Sequence, residues 1–219
     1  MKRLISVVLL SVLVTGTSGF AGEKKFQIDP VHSSVQFRIQ HLYSTFVGRF
    51  NKFEGTISGD PEKPDTLKVS ASVDVTSIDT ANADREKHLK SPDFFDTAKN
   101  PMATFVSTGT VLAKKGNSGD VTGKLTICGI TKEVTFTGQF LGHGPDPKGV
   151  DHAGFHATTT INRVDYGVAF ASTPVNGITL LGNDVELILD LDATEVKAVA
   201  EVKAATTAKG TEIPASSEK

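Results

Sequence analysis

Five side chains able to bind a metal ion crowd into one short run of this sequence. "GHGPDPKGVDHAGFH" gathers His143, Asp146, Asp151, His152 and His156 within fourteen residues. Imidazole and carboxylate ligands suit zinc or copper. The spacing argues against a tight site. His152 and His156 lie four apart, which pairs imidazoles on a helix but separates them by about 13 Å on a strand. His143 and His152 could meet across a hairpin with Asp151 beside them, while the competing reading is a polar hairpin loop. His32, in "DPVHSS", and His41 read as structural residues rather than ligands.

Other chemistry has less to draw on. No Ser sits in a nucleophile elbow, and no Gly-rich phosphate loop follows a strand and opens a helix. "GKLTICGITK" has glycines but lacks that spacing. Cys128 is the single cysteine, so an intrachain disulfide is excluded, and nothing near it supplies a base or an orienting acid. No catalytic residue is expected. Net charge is -2, so no basic field points to nucleic acid.

The elements that must position these residues are strands. Val35, Phe37 and Ile39 alternate with polar residues, as do Leu67, Val69, Ala71, Val73 and Val75. The same holds for Val121, Gly123, Leu125 and Ile127, for Val134 and Phe136, and for Phe155, Ala157, Thr159 and Ile161. Val185, Leu187, Leu189 and Leu191 close the series. Period two with one apolar face predicts antiparallel strands around one core. "SGDPEKPD", "KKGNSGD", "GHGPDPKG" and "LGND" supply turns. One segment departs: "SIDTANADREKHLKSPD" predicts a helix from about Asn82 to Lys90, with Asp79 and Thr80 as cap candidates, Glu86 to Lys90 as an i,i+4 pair and Pro92 as a stop.

Roughly eight strands with one inserted helix fit a barrel or a sandwich. An eight-stranded barrel is just wide enough to pack its own side chains or to hold one slender ligand. Thirteen Phe and no Trp give an interior rich in rings without polar handles, which can face an apolar guest. "HLKSPDFFDTAKNPMATF" places Phe94 and Phe95 in connecting chain. Their neighbouring side chains would point opposite ways in extended chain, one under the helix and one at the cavity or its rim. The competing reading has both rings filling core.

Residues 1–21 read as a secretory signal peptide: Lys2 and Arg3, an apolar run from Leu4 to Val14, then Gly19 and Ala21 before the cut. That predicts a periplasmic or secreted protein. Residues 22–193 then form the barrel, and 194–219, repetitive in Ala, Lys, Glu and Thr, read as a disordered tail.

Several of these runs together carry a family resemblance. "FQIDPVHSSVQFRIQHL", "GRFNKFEGTI", "SASVDVTSIDTANADREKHLKSPDFFDTAKNPMATF", "GKLTICGITKEVTF", "AGFHATTTINRVDYG" and "GNDVELILDLDA" resemble the YceI-like family over Phe26 to Ala193. The resemblance implies an all-β fold, an extended eight-stranded antiparallel lipocalin-like barrel with one inserted α-helix at its side or mouth. It implies non-catalytic binding, carriage or storage of a long-chain isoprenoid lipid, an isoprenoid quinone or polyprenyl phosphate, as ligand rather than cofactor. Relatives are often dimeric, which leaves a homodimer open for this chain. The sequence departs from the family pattern at Cys128, Val164 and Tyr166, where His, Ser and Phe are common, so the head group is less defined than the tail.

On this reading the lipid-binding wall comprises Phe37, Ile39, Val69, Val73, Phe94, Phe95, Phe105, Leu125, Ile127, Val134, Phe136, Phe155, Ile161, Leu187 and Leu189. A filled barrel would use the same faces. Two alternatives stand beside lipid carriage: a metal-binding or stress-response protein using the His143–His156 loop, and a structural sandwich with a closed core.

Overall fold

The computed structural model describes residues 23–60, 63, 66–112, 117–171 and 173–196. The expected signal peptide and residues 197–219 of the expected tail lie outside the described residues.

Eleven strands and one α-helix are present among them. In chain order these are β1 (Lys24–Ile28), β2 (Ser34–His41), β3 (Ser44–Phe50), β4 (Phe53–Gly59), β5 (Lys68–Asp74) and β6 (Ile78–Asp79). Helix α1 (Ala83–Leu89) follows, then β7 (Met102–Leu112), β8 (Ser118–Ile127), β9 (Ile130–Pro145), β10 (Asp151–Asn162) and β11 (Leu181–Glu195). Strands β1, β4, β5, β7, β8, β9, β10 and β11 pair antiparallel in that order, and β11 returns to β1, closing an eight-stranded barrel. Closure leaves no unpaired edge in the ring, which sandwich packing would not achieve.

The three remaining strands arise from two breaks. Pro30 has no N–H to give a ladder, and Asp29 turns the chain by accepting from Val31 N–H at 2.8 Å. Ser33 pins the break to β11, accepting from Asp192 N–H at 2.9 Å. So β1 pairs with residues 193–195 of β11, while β2 pairs with its earlier part, Val185↔Ile39 through Asp190↔Ser34. Strand β4 continues the ring through β5, but β3 turns instead to β6. The sheet therefore splits beside β3, and the chain of α1 and residues 90–100 lies between β6 and β7.

Local chemistry sets the ends of α1. The N-cap is Asn82, whose side chain accepts from Arg85 N–H at 2.9 Å. The cap candidates Asp79 and Thr80 have other roles. Asp79 takes Arg49 at 2.9 Å and Ala81 N–H at 3.0 Å. Glu86 reaches back to the N–H groups of Thr80 at 2.8 Å and Asn82 at 3.3 Å rather than forward to Lys90. Orphan backbone donors at a helix start hold a carboxylate better than an exposed lysine does.

Two further boundaries differ from expectation. Val75 leaves the strand for a 3-10 turn, Val75–Ser77, capped by Asp74, and is 3% exposed. Thr194 and Glu195, expected in the tail, belong to β11 and pair with Gln27 and Phe26 of β1.

Candidate functional site

The inward faces leave a cavity of about 770 Å³ inside the barrel. Register stacks its wall in layers. Ile39, Val185 and Ile161 lie side by side across β2, β11 and β10, and two residues along come Phe37, Leu187 and Thr159. Two buried clusters border the space. One holds Ile39, Leu125, Ile161, Tyr166 and Val185; the other holds Phe26, Ile57, Ala153 and Ala193.

All the expected wall residues except Val134 line this cavity: Phe37, Ile39, Val69, Val73, Phe94, Phe95, Phe105, Leu125, Ile127, Phe136, Phe155, Ile161, Leu187 and Leu189. Val134 shares the parity of Phe136 and packs, like Phe105 and Ile127, against the Ile39–Leu125–Ile161 cluster, but it does not reach the cavity surface. Its register partner is Gly123, over which the Phe105 ring lies. A Cβ on Gly123 would stand 2.4 Å from Phe105 Cζ, so only glycine leaves room for that ring. Gly48 does the same for Phe37, where a Cβ would also be 2.4 Å away. Two glycines thus let two large rings lie against the wall instead of filling the space.

Aromatic pairs run along the interior. Phe105 meets Phe136 edge-on at 5.3 Å, Phe37 leans on Phe50 at 5.7 Å, and Phe140 leans on Phe155 at 5.4 Å. Such pairs contribute about 1 kcal/mol beyond area burial and hold rings in defined orientations.

The segment with Phe94 and Phe95 is a turn, not extended chain. Phe94 N–H donates to Ser91 C=O at 3.1 Å and Phe95 N–H to Leu89 C=O at 3.1 Å. Both rings are half-buried and both reach the cavity wall. Phe95 meets Phe50 edge-on at 6.5 Å, while Phe94 joins His88 and Phe170 in a cluster with centroids 4.8 to 5.0 Å apart. Arg85 lies 4.1 Å over the Phe46 ring. These contacts tie α1 to the barrel wall.

Cys128 and Gly129 form the two-residue β8–β9 turn, both at positive φ, 50° and 74°. The Cys128 thiol donates to Phe95 C=O at 3.5 Å. Burial, aided by the Asp96 carboxylate, pushes this thiol up, so it stays protonated and weakly nucleophilic.

The histidine-rich run does not converge. His152 and His156 are each taken by a carboxylate of β11, Asp192 at 2.8 Å and Asp190 at 2.7 Å. Asp146 turns back on Lys148 and Val150 N–H, and His143 stacks on Phe140 at 5.9 Å. Among the described residues no three His, Cys, Asp or Glu side chains gather as a metal site. The strand spacing keeps the two β10 imidazoles apart, as their separation in sequence implies.

Sequence reasoning missed other wall residues. Phe26 and Ile57 had a usable signal, since each follows the period-two pattern of its own strand. Arg163 and Tyr166 had none. Both sit in a 3-10 turn after β10, Arg163–Tyr166, and both are buried, at 5% and 2% exposure. Arg163 donates to the carbonyls of Gly182 at 2.8 Å, Val168 at 2.7 Å, Phe170 at 2.9 Å and Leu181 at 3.4 Å, and to Asn183 Oδ1 at 3.2 Å. It staples the 168–183 segment over one end of the barrel. Desolvation lowers the pKa of its guanidinium, which stays charged regardless.

A closed antiparallel sheet around an apolar cavity with few polar groups is the architecture of small-ligand-binding barrels. Residues 26–193 match the model of the YceI-like domain, and the chain belongs to that family. Among its relatives, a UPF0312 protein of Pectobacterium atrosepticum is 38% identical over 90% of this chain and 98% of its own. Protein YceI of Salmonella arizonae is 39% identical over 90% of this chain and 99% of its own. Among solved structures, Burkholderia cenocepacia BcnA matches with a TM-score of 0.68 at 26% identity, covering 76% of this chain and 99% of that one. A polyisoprenoid binding domain from Saccharophagus degradans shares the fold, with a TM-score of 0.56 at 15% identity over 77% and 97%.

Proposed function

We propose that this protein is a non-catalytic carrier or store for a long-chain isoprenoid lipid, a prenylated quinone or polyprenyl phosphate, exported to the periplasm or beyond. The observation that carries the reading is the cavity of about 770 Å³, walled by phenylalanines and branched aliphatics and held open by Gly48 and Gly123. At both glycines the neighbouring ring lies along the wall beside that cavity rather than across it. The polyisoprenoid-binding description of the Saccharophagus degradans domain, a barrel of the same fold, supports the same ligand class.

Tail burial alone supplies the affinity. Each methylene moved out of water contributes about 0.8 kcal/mol. Summed over eight prenyl units this exceeds the practical ceiling near 20 kcal/mol, so ordering the chain and displacing water set the net value. No bond is made or broken.

The test is organic extraction and mass spectrometry of protein purified from its own cells, followed by uptake of an added prenylated benzoquinone. A prenyl lipid near one per protein is the expected result. Recovering no prenyl or acyl lipid, together with no uptake, would sink the proposal.

A further inference from the structure

The two ends of the barrel differ in what they show to solvent. At one end Lys24, where β1 begins, pairs with Asp151 at 3.6 Å and Glu195 at 3.3 Å. At the other end the 168–183 segment meets the β2–β3 turn, with Leu42 N–H donating to Leu180 C=O at 3.0 Å. In a chain whose residues are 22% charged, residues 168–183 and 42–48 contain no Asp, Glu, Lys or Arg. This charge-free lip is also apolar and exposed. Val175 and Ile178 bond backbone to backbone around Asn176 and Gly177, both at positive φ, making a small hairpin tip. Tyr43 is 92% exposed and Val175 70%, and Phe170, Ile178 and Leu180 are exposed on the same segment as Val175. Phe170 and Leu180 also line the cavity, so the lip borders its mouth. Apolar side chains grouped at an opening mark an interaction surface, unlike single ones scattered over a protein.

The charge at this rim selects the partner. Arg85 lies over Phe46 and gives one N–H to Thr80 C=O at 2.6 Å. A guanidinium has five such groups, and the others here have no protein acceptor among the described residues. Asp93, close to the rim through the His88–Phe170 contact, is already paired with His88 Nε2 at 2.9 Å. A second copy of the lip would bring no carboxylate to Arg85, because the lip contains none. A phospholipid bilayer supplies both halves of the match: phosphate oxygens for the guanidinium and an apolar interior for the lip. Tyr43, with an apolar ring and a polar tip, suits the boundary between the two.

Resting on the carrier reading above, we infer that the protein docks on a phospholipid bilayer through this lip. The guest then passes between membrane and cavity at the end bordered by Phe170 and Leu180, while the Lys24 end stays in water.

The test floats the protein with vesicles of phosphatidylethanolamine and phosphatidylglycerol, three to one. It also follows transfer to the protein of a benzoquinone with an eight-unit prenyl tail carried in those vesicles. Val175→Ser combined with Ile178→Ser removes the apolar surface of the hairpin tip, and neither residue lines the cavity. Vesicle binding and transfer rate should both fall about tenfold. Melting temperature, and uptake of the same quinone from detergent, should not change. Val31→Ser serves as the control: Val31 is 80% exposed but lies in the β1–β2 turn, which Asp192 holds near the far end of β11. It should leave vesicle binding as in wild type. Arg85→Gln should weaken vesicle binding about fivefold. A loss from the tip variant no larger than from Val31→Ser, or vesicle binding untouched by Arg85→Gln, would overturn the inference. So would a wild-type dimer that the tip variant converts to monomer, with no protein on the vesicles. Wild type that takes up the quinone from neither vesicles nor detergent removes the carrier reading itself. Uptake from detergent without docking is a distinct outcome, and it overturns the docking surface alone.

Discussion

Phe136→Asp asks whether the interior is a guest site or an ordinary core. Phe136 is 6% exposed, meets Phe105 edge-on at 5.3 Å and lines the cavity. In a solid core, truncating such a ring costs about 3–5 kcal/mol through lost transfer energy and a new void. Here the ring borders the cavity along part of its edge, so relaxation into that space offsets some of the loss and the new carboxyl can hydrate there. We expect the ligand-free variant to lose about 2 kcal/mol. The guest suffers more. Three or four methylenes that would lie along the ring forfeit about 0.8 kcal/mol each, roughly 3 kcal/mol or a hundredfold in affinity. The carboxyl also gives the loss a direction in pH. Contact with an apolar chain raises its pKa above that of the free protein, so the neutral form is favoured when the guest is bound. Affinity should thus recover in part below about pH 5, which a truncation to alanine would not show. Urea denaturation of ligand-free protein and fluorescence competition with a prenyl probe between pH 4 and 8 read both quantities. A stability loss near 4 kcal/mol with unchanged, pH-independent guest affinity would refute the reasoning.

Other perturbations probe the surrounding frame. Gly123→Ala sets a methyl 2.4 Å from Phe105 Cζ and 2.6 Å from Val106 O; the ring should swing inward, costing about 1–3 kcal/mol and weakening long-chain probes more than short ones. Equal effects on both chain lengths would count against a displaced ring. Arg163→Gln strips most of five hydrogen bonds from the 168–183 segment; rehydration of the freed carbonyls limits the loss to about 3 kcal/mol, and limited proteolysis should cut within that segment first. The Asp79 carboxyl is held down to about 2 by Ala81 N–H, Arg49 and Asn51. A depressed carboxylate stabilises above its unfolded pKa and loses that effect as pH falls through the folded one. Amide protection at the β3–β6 junction, taken relative to the intrinsic exchange rate at each pH, should therefore fall between about pH 4 and pH 2, and Asp79→Asn should abolish that step.

Strand content was legible in the residues because period-two alternation is a property of a few neighbouring side chains. Val35, Phe37 and Ile39, or Leu187 and Leu189, show their shared face without reference to the rest of the chain. The helix was legible for the same reason, although its cap was not. Asp79, Thr80 and Asn82 are all suitable caps, and the choice fell to Asn82 because Arg49 of β3 and Asn51 just after it claim Asp79.

Tertiary structure decided what those faces enclose. Closure rests on β11 meeting β1 and β2 along different parts of its length, a pairing between residues more than a hundred positions apart. Whether a row of rings fills its space or borders a cavity depends on volumes summed around the barrel, which no single strand carries. Val134 shows the difference: it has the right parity, but the Phe105 ring lies over its partner Gly123 and the cavity surface falls elsewhere. Arg163 and Tyr166 show it more strongly. Neither residue type signals an apolar wall, and burial came only when β10, the turn after it and the 168–183 segment were brought together. Parity along a strand is local, whereas hollowness and the burial of Arg163 and Tyr166 are sums over the whole fold.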